Sequence, residues 1–115
     1  MITIYHNPLW SKSRKSVEIL EEKGLSYTVV EYIKEGLTIE SLEKISKQLN
    51  LSPAHFIRKT DKIFKENQLE SILNNNKKVF KAISENPKLL ERPIVIKDNK
   101  AIIARPAELL HDFLL

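Results

Sequence analysis

The sequence predicts an α/β domain: a mixed four-stranded sheet with helices on both faces and a helical insertion. Three observations support this fold class. Near the N-terminus, runs of β-branched and aromatic residues alternate with helical apolar stripes. The middle of the chain carries mostly helical patterns, and two apolar runs near the C-terminus flank a polar turn pair. At 115 residues and 42% hydrophobic composition, the chain can build one core but is short for two typical domains.

The first third of the chain predicts strand, helix and strand in that order. Residues 2–5 form a short β-type run, which ends at the turn-initiating pair Asn7-Pro8. A helix is predicted over 13–23, where apolar residues fall on one face. Residues 26–32 are rich in β-branched and aromatic side chains and predict the second strand. A short connection of this kind favours parallel pairing of the two strands.

The middle of the chain predicts several helices. Thr38 caps a helix with a regular apolar stripe. Ser52-Pro53 predicts another helix start, with serine as the cap and proline at the first helical position. Val79 and its neighbours suggest a short helix that ends at Asn86. These helices form the insertion, at about 38–88, within a single domain over 1–115.

The C-terminal part predicts a hairpin followed by a helix. Residues 93–96 and 101–104 are apolar runs on either side of Asp98-Asn99, and both turn residues tolerate left-handed backbone. Pro106 then begins the last helix. The complete order, βαβα, helical insertion, ββα, is the layout of a thioredoxin-like domain with a helical insertion.

Charge and composition restrict the functions that the chain can have. Lys and Arg number 19 and Asp and Glu 15, a net charge of +4 with both signs mixed along the chain. This pattern favours simple solubility over nucleic-acid binding. No apolar run is long enough for a membrane span and no leader pattern is visible, so we expect a cytoplasmic protein. A monomer is a separate expectation. The absence of cysteine removes disulfides, thiolate metal sites and thiol nucleophiles, and we expect no bound metal or cofactor.

The loop between the first strand and the first helix is a candidate anion site. Free backbone N–H groups and the helix dipole favour negative charge at a helix N-terminus. Ser11, Lys12, Ser13 and Arg14 add side-chain donors there. The simpler interpretation is an ordinary helix start capped by Ser11 or Ser13 that binds nothing.

Two Arg-Pro pairs bracket the predicted hairpin. Arg92 precedes the first strand and Arg105 follows the second, so both arginines leave the hairpin at the same end. Two adjacent guanidinium groups repel each other unless an anion or carboxylates lie between them. The alternative to an anion is pairing with acids such as Glu91 or Glu108. Pro93, at a strand start, is also a candidate for a cis peptide bond.

Several segments resemble the glutaredoxin-coupled arsenate reductase family (ArsC-like and Spx-like proteins). The resemblance spans the chain in order, through residues 5–14, 51–59 and 89–95 and the Arg105-Pro106 pair. It implies a thioredoxin-like fold and a first-loop cysteine that attacks arsenate, with glutathione and glutaredoxin as external reductants. It also implies that three arginines hold the oxyanion, and these match Arg58, Arg92 and Arg105.

This chain departs from the family pattern at the nucleophile. The family has Asn-Pro-any-Cys, whereas Trp10 occupies the cysteine position here. An indole is a hydrogen-bond donor only and has no lone pair for attack. Ser13 matches the family's serine, but an alcohol without a nearby base is a poor nucleophile. The resemblance gives His6 a polarising role beside a thiolate, and the interpretation favoured here is a histidine at a strand end with a satisfied hydrogen bond.

The size of Trp10 leaves its placement open. The ring either fills the oxyanion space, or turns outward and stacks on an arginine as a cation–π pair, or packs on its own helix. An outward ring would also be an aromatic anchor for a protein partner.

Three functions remain. The first is a pseudoenzyme of the family that lacks thiol-dependent reduction and binds either an oxyanion (arsenate, phosphate or sulfate) or nothing. The second is an Spx-like regulator that binds RNA polymerase, although those proteins carry a Cys-x-x-Cys switch where this chain has Trp10 and Ser13. The third is a working reductase with glutaredoxin as partner, which requires an atypical residue 10 or a different nucleophile.

Overall fold

A computed structural model describes all 115 residues. The chain divides into two compact units, one made of Met1–Glu35 and Arg92–Leu115 and the other of Gly36–Glu91. In chain order the elements are β1 (Ile2–Tyr5), α1 (Ser11–Glu22), β2 (Thr28–Val30), α2 (Tyr32–Glu35), α3 (Ile39–Leu49), α4 (Lys62–Glu66), α5 (Asn76–Glu85), β3 (Ile94–Lys97), β4 (Lys100–Ile103) and α6 (Leu110–Phe113).

The first unit holds one mixed four-stranded sheet with the order β2-β1-β3-β4. β1 pairs with β2 in parallel and with β3 antiparallel, and β3 pairs antiparallel with β4. The α/β fold class predicted from the sequence is therefore confirmed. A core beside the sheet is built from aliphatic side chains of the strands, of α1 and of the C-terminal helical segment: Ile2, Ile4, Ile19, Leu20, Val95, Ala104, Ala107 and Leu110.

The second strand is shorter than the sequence pattern predicts. β2 covers only Thr28–Val30, and Tyr32 already belongs to α2. The side chain of Glu35 explains the early end, because its Oε2 accepts a hydrogen bond from the backbone N–H of Glu31 at 2.9 Å. That bond satisfies an amide at the start of the helical turn, where no intrahelical partner exists.

In the second unit, α3 confirms the predicted cap at Thr38, whose hydroxyl accepts from the N–H of Ser41 at 3.0 Å. The helix predicted after Ser52 is wrong, because the chain forms only a 3₁₀ turn over Pro53–His55. The reason is long-range pairing. Ile57 bridges to Leu90, and the backbone N–H of Arg58 donates to the carbonyl of Leu89 at 2.7 Å.

The C-terminal hairpin confirms the predicted turn at Asp98-Asn99, with Asp98 in the left-handed region at φ 58°. After Pro106 the chain makes a 3₁₀ turn over Ala107–Leu109 and then the four-residue α6. No helix combines the length and apolar character needed to cross a bilayer.

Candidate functional site

The loop that links β1 to α1 is folded by its own Asn-Pro sequence. The side-chain Oδ1 of Asn7 accepts the backbone N–H of Leu9, and its carbonyl accepts the N–H of Trp10, both at 3.1 Å. Asparagine favours such a turn because its side chain reaches backbone two residues on, and Pro8 restricts its own φ. The two bonds fix the path of the backbone into α1.

Two side chains of α1 fasten this loop from the helix side. The Ser13 hydroxyl accepts the N–H of Asn7 at 3.1 Å and lies 2.6 Å from Nδ1 of His6, and all three residues are buried. Nη1 of Arg14 donates to the carbonyl of Pro8 at 2.9 Å. Ser13 and Arg14 were both sequence candidates for anion binding, and each of them makes a hydrogen bond that stabilises the loop.

Burial lowers the pKa of His6 below its usual 6.5. The negative charge of Glu31 raises it and the positive charge of Arg14 lowers it further, both as smaller contributions. A neutral imidazole suits the short contact with Ser13, since one of its nitrogens carries no proton and can accept the hydroxyl proton.

We expect the folded state to lose stability as the pH falls below 6.5. The unfolded chain protonates His6 near pH 6.5, whereas the folded chain does so only at lower pH, so protons favour unfolding in this window. Urea unfolding between pH 5 and 8 should show a smaller pH dependence in His6→Asn than in the parent. The exposed His111→Asn is the control and should retain the parent slope. Equal slopes in all three proteins would contradict the assignment to His6.

The start of α1 differs from the sequence expectation. The helix begins at Ser11, and the N-cap residue is Trp10, which makes no side-chain cap hydrogen bond. The predicted caps, Ser11 and Ser13, are therefore wrong: Ser11 is the first helical residue and is exposed, and Ser13 faces His6 instead. No acidic residue lies in the first turn. The positive end of the helix dipole is consequently not offset by a carboxylate there.

Trp10 stacks on Arg92. Cζ of Arg92 lies 3.4 Å from the centroid of the indole, which is the contact distance of two stacked planar groups. Arg92 is only 4% exposed, whereas Trp10 is 44% exposed. Of the placements open from the sequence, the structure shows the cation–π pair, with part of the indole still in solvent.

Both Arg-Pro peptide bonds, Arg92-Pro93 and Arg105-Pro106, are cis. Ile94 pairs with Ile103, and the N–H of Ala104 donates to the carbonyl of Pro93 at 2.9 Å. This register brings both arginines to the same end of the hairpin, as the sequence predicts.

Arg105 is exposed and lines a cavity of about 390 Å³. Lys12 and Lys15 from α1 line the same cavity, together with one acid, Glu108. Lys15 was missed from the sequence, although its spacing of three residues from Lys12 places both on one helix face.

Arg58 belongs to the second unit. Its Nη1 forms an ion pair with Oδ2 of Asp61 at 3.0 Å and also donates to the carbonyl of Lys88 at 3.3 Å. No local pattern in the sequence marks this arginine as functional, and only the family resemblance selects it.

Comparison with known proteins places the chain in a family. The ArsC family profile matches residues 5–113, nearly the whole sequence. The chain belongs to the ArsC family. It is 37% identical over 114 residues to a protein named arsenate reductase from Haemophilus influenzae, covering 98% of both chains. It is 39% identical over 108 residues to an arsenate reductase from Neisseria meningitidis, covering 93% of this chain and 92% of that one.

Two solved structures named as arsenate reductases share the fold. The arsenate reductase from Vibrio cholerae superposes with a TM-score of 0.92 at 34% identity, covering 96% of this chain and 95% of that chain. A putative arsenate reductase from Yersinia pestis gives a TM-score of 0.91, also at 34% identity, covering 97% and 99%. The thioredoxin-like ArsC fold expected from the sequence is thereby confirmed.

Proposed function

We propose that this ArsC family protein binds an oxyanion but lacks thiol-dependent arsenate reduction. The observation that carries the proposal is Trp10, which sits at the N-cap of α1 and stacks on Arg92. The family resemblance puts the nucleophilic cysteine at this position. The chain contains no cysteine, so no other thiol can take over this role.

The other groups of the loop are poorly suited to replace a thiol. The indole offers only an N–H donor. The Ser13 hydroxyl is fully buried and engaged with His6 and Asn7, which leaves it no open path to a substrate. The lowered pKa of His6 also makes its imidazole a weaker base. Ser11 is exposed, but an alcohol needs an activating base to act as a nucleophile.

Several features support retention of anion binding. Arg92 and Arg105 lie at one end of the hairpin, and the first turn of α1 carries Lys12 and no acid. Guanidinium groups bind oxyanions through paired N–H donors, and a helix N-terminus favours negative charge. The resemblance adds Arg58 as a third arginine. Arsenate, phosphate and sulfate share the chemistry that these groups recognise.

The experiment combines a coupled assay with calorimetry. With arsenate, glutathione, glutaredoxin and a reductant-regenerating system, we expect turnover equal to the protein-free background, while an active family reductase serves as the positive control. Titration of the same protein with arsenate, phosphate and sulfate should release or absorb heat. Turnover above background would refute the loss of reduction, and the absence of any binding heat would refute anion binding.

A further inference from the structure

We propose that the indole of Trp10 is an intramolecular ligand of Arg92 that competes with the oxyanion. When the ring is stacked on Arg92 it covers the guanidinium. An anion binds Arg92 only after the ring has moved off the guanidinium. The inference rests on the anion binding proposed above and adds a regulatory device to that same site.

The electrostatics of Arg92 require a partner in the resting protein. A guanidinium stays charged at any pH at which proteins fold, and Arg92 is 4% exposed. A buried charge is costly unless a group of opposite potential contacts it. The negative π-face of the indole, 3.4 Å from Cζ, supplies part of that potential without carrying a charge. Without a bound anion, the indole of Trp10 therefore supplies part of the negative potential that an oxyanion would supply to Arg92.

The loop geometry allows the ring to move while the backbone stays in place. The hydrogen bonds of Trp10 to Asn7 and Arg14 use its main-chain N–H and carbonyl. Side chains of Ser13 and Arg14 hold the rest of the loop. Rotation about the side-chain bonds of Trp10 breaks none of these contacts. Trp10 is 44% exposed, so solvent lies beside the residue and its ring can rotate toward it.

The competition lowers the affinity of the protein for the anion by a measurable factor. When only a fraction of molecules has the ring displaced, the apparent dissociation constant of the anion rises by the reciprocal of that fraction. Removal of the ring should therefore strengthen anion binding. We expect about a tenfold gain for Trp10→Ala, which corresponds to about 1.4 kcal/mol.

Calorimetric titration with sulfate and arsenate tests the proposal on four proteins. Trp10→Ala should bind about tenfold more tightly than the parent, and Trp10→Phe, which keeps a smaller aromatic face, should lie between them. Leu9→Ala is the matched control, because Leu9 is the neighbouring apolar residue, is 86% exposed and is not part of the stack; its affinity should equal that of the parent. Far-UV circular dichroism and melting curves verify that each variant is folded.

A second readout needs no variant. Trp10 is the only tryptophan, so saturating sulfate should increase the quenching of its fluorescence by acrylamide and shift the indole N–H resonance. Anion binding with equal affinity in the parent and in Trp10→Ala, or binding that leaves the fluorescence unchanged, would overturn the competition and leave the proposed function standing. Absence of binding in every variant would overturn both. Binding by Trp10→Ala alone would support the competition, with the ring blocking the site in the parent, and would overturn the anion binding proposed for the parent.

Discussion

Trp10→Cys is expected to give the chain arsenate reductase activity in the coupled glutathione and glutaredoxin assay. The substitution puts a thiol at the N-cap of α1, where the first helical turn presents free N–H groups and no carboxylate. A helix N-terminus and nearby arginines lower the pKa of a thiol and favour the nucleophilic thiolate. The Trp10→Cys substitution also removes the indole ring that covers Arg92. In the chemistry implied by the family resemblance, that thiolate would attack arsenic and displace one arsenate oxygen as water. The thiols of glutathione and glutaredoxin would then supply the two electrons that reduce arsenate to arsenite.

The gain should be large, because loss of a covalent nucleophile in other enzymes lowers kcat by up to about 10⁶. Even partial recovery should raise the rate about a hundredfold above the background of the parent. Trp10→Ser is the matched control, since it has nearly the same shape as the cysteine variant but carries a hydroxyl in place of the thiol, and it should stay at background. The pH dependence of alkylation of the introduced thiol gives a second measurement that needs no arsenate. A thiol with a lowered pKa and no turnover would show that the arginines do not form a working site.

The elements that were predictable from the sequence are those set by local chemistry. The hydroxyl of Thr38 caps α3, and Asp98 adopts the left-handed backbone of a tight hairpin turn, as their residue types favour. Both features depend on neighbours within a few positions of the chain. The prediction of a helix after Ser52 was wrong because the backbone that follows pairs with residues distant in the sequence. Ile57 bridges to Leu90, and the N–H of Arg58 donates to the carbonyl of Leu89. Long-range pairing overrides a local helix signal of this strength.

In the candidate site, too, the features set by local sequence were predictable and the contacts between distant residues were not. The shared end of the hairpin for Arg92 and Arg105 follows from counting residues on each strand. The stack of Trp10 on Arg92 does not, since the two residues come from opposite parts of the chain and the ring had three plausible placements. The roles of Ser13 and Arg14 were also hidden, because a serine or arginine at a helix start has the same appearance whether it binds a ligand or its own loop.

Ser13→Ala is expected to destabilise the protein far more than its exposed neighbour Ser11→Ala. Removal of the Ser13 hydroxyl leaves the N–H of Asn7 and Nδ1 of His6 without the partner that each has now, and both residues are buried. A buried polar group left unsatisfied costs about 1–3 kcal/mol. With two such groups, we expect the free energy of unfolding to fall by about 2–6 kcal/mol.

Urea and thermal unfolding measure the effect directly. Ser11→Ala is a close control, because it makes the same chemical change two positions earlier in the same helical turn, at a side chain that is exposed. Its change should stay within about 0.5 kcal/mol. The loop should also loosen in Ser13→Ala, so the fluorescence of Trp10 should be more accessible to acrylamide than in Ser11→Ala. If both alanine variants are as stable as the parent, Ser13 does not fasten the loop, and the buried contact with His6 has no energetic weight.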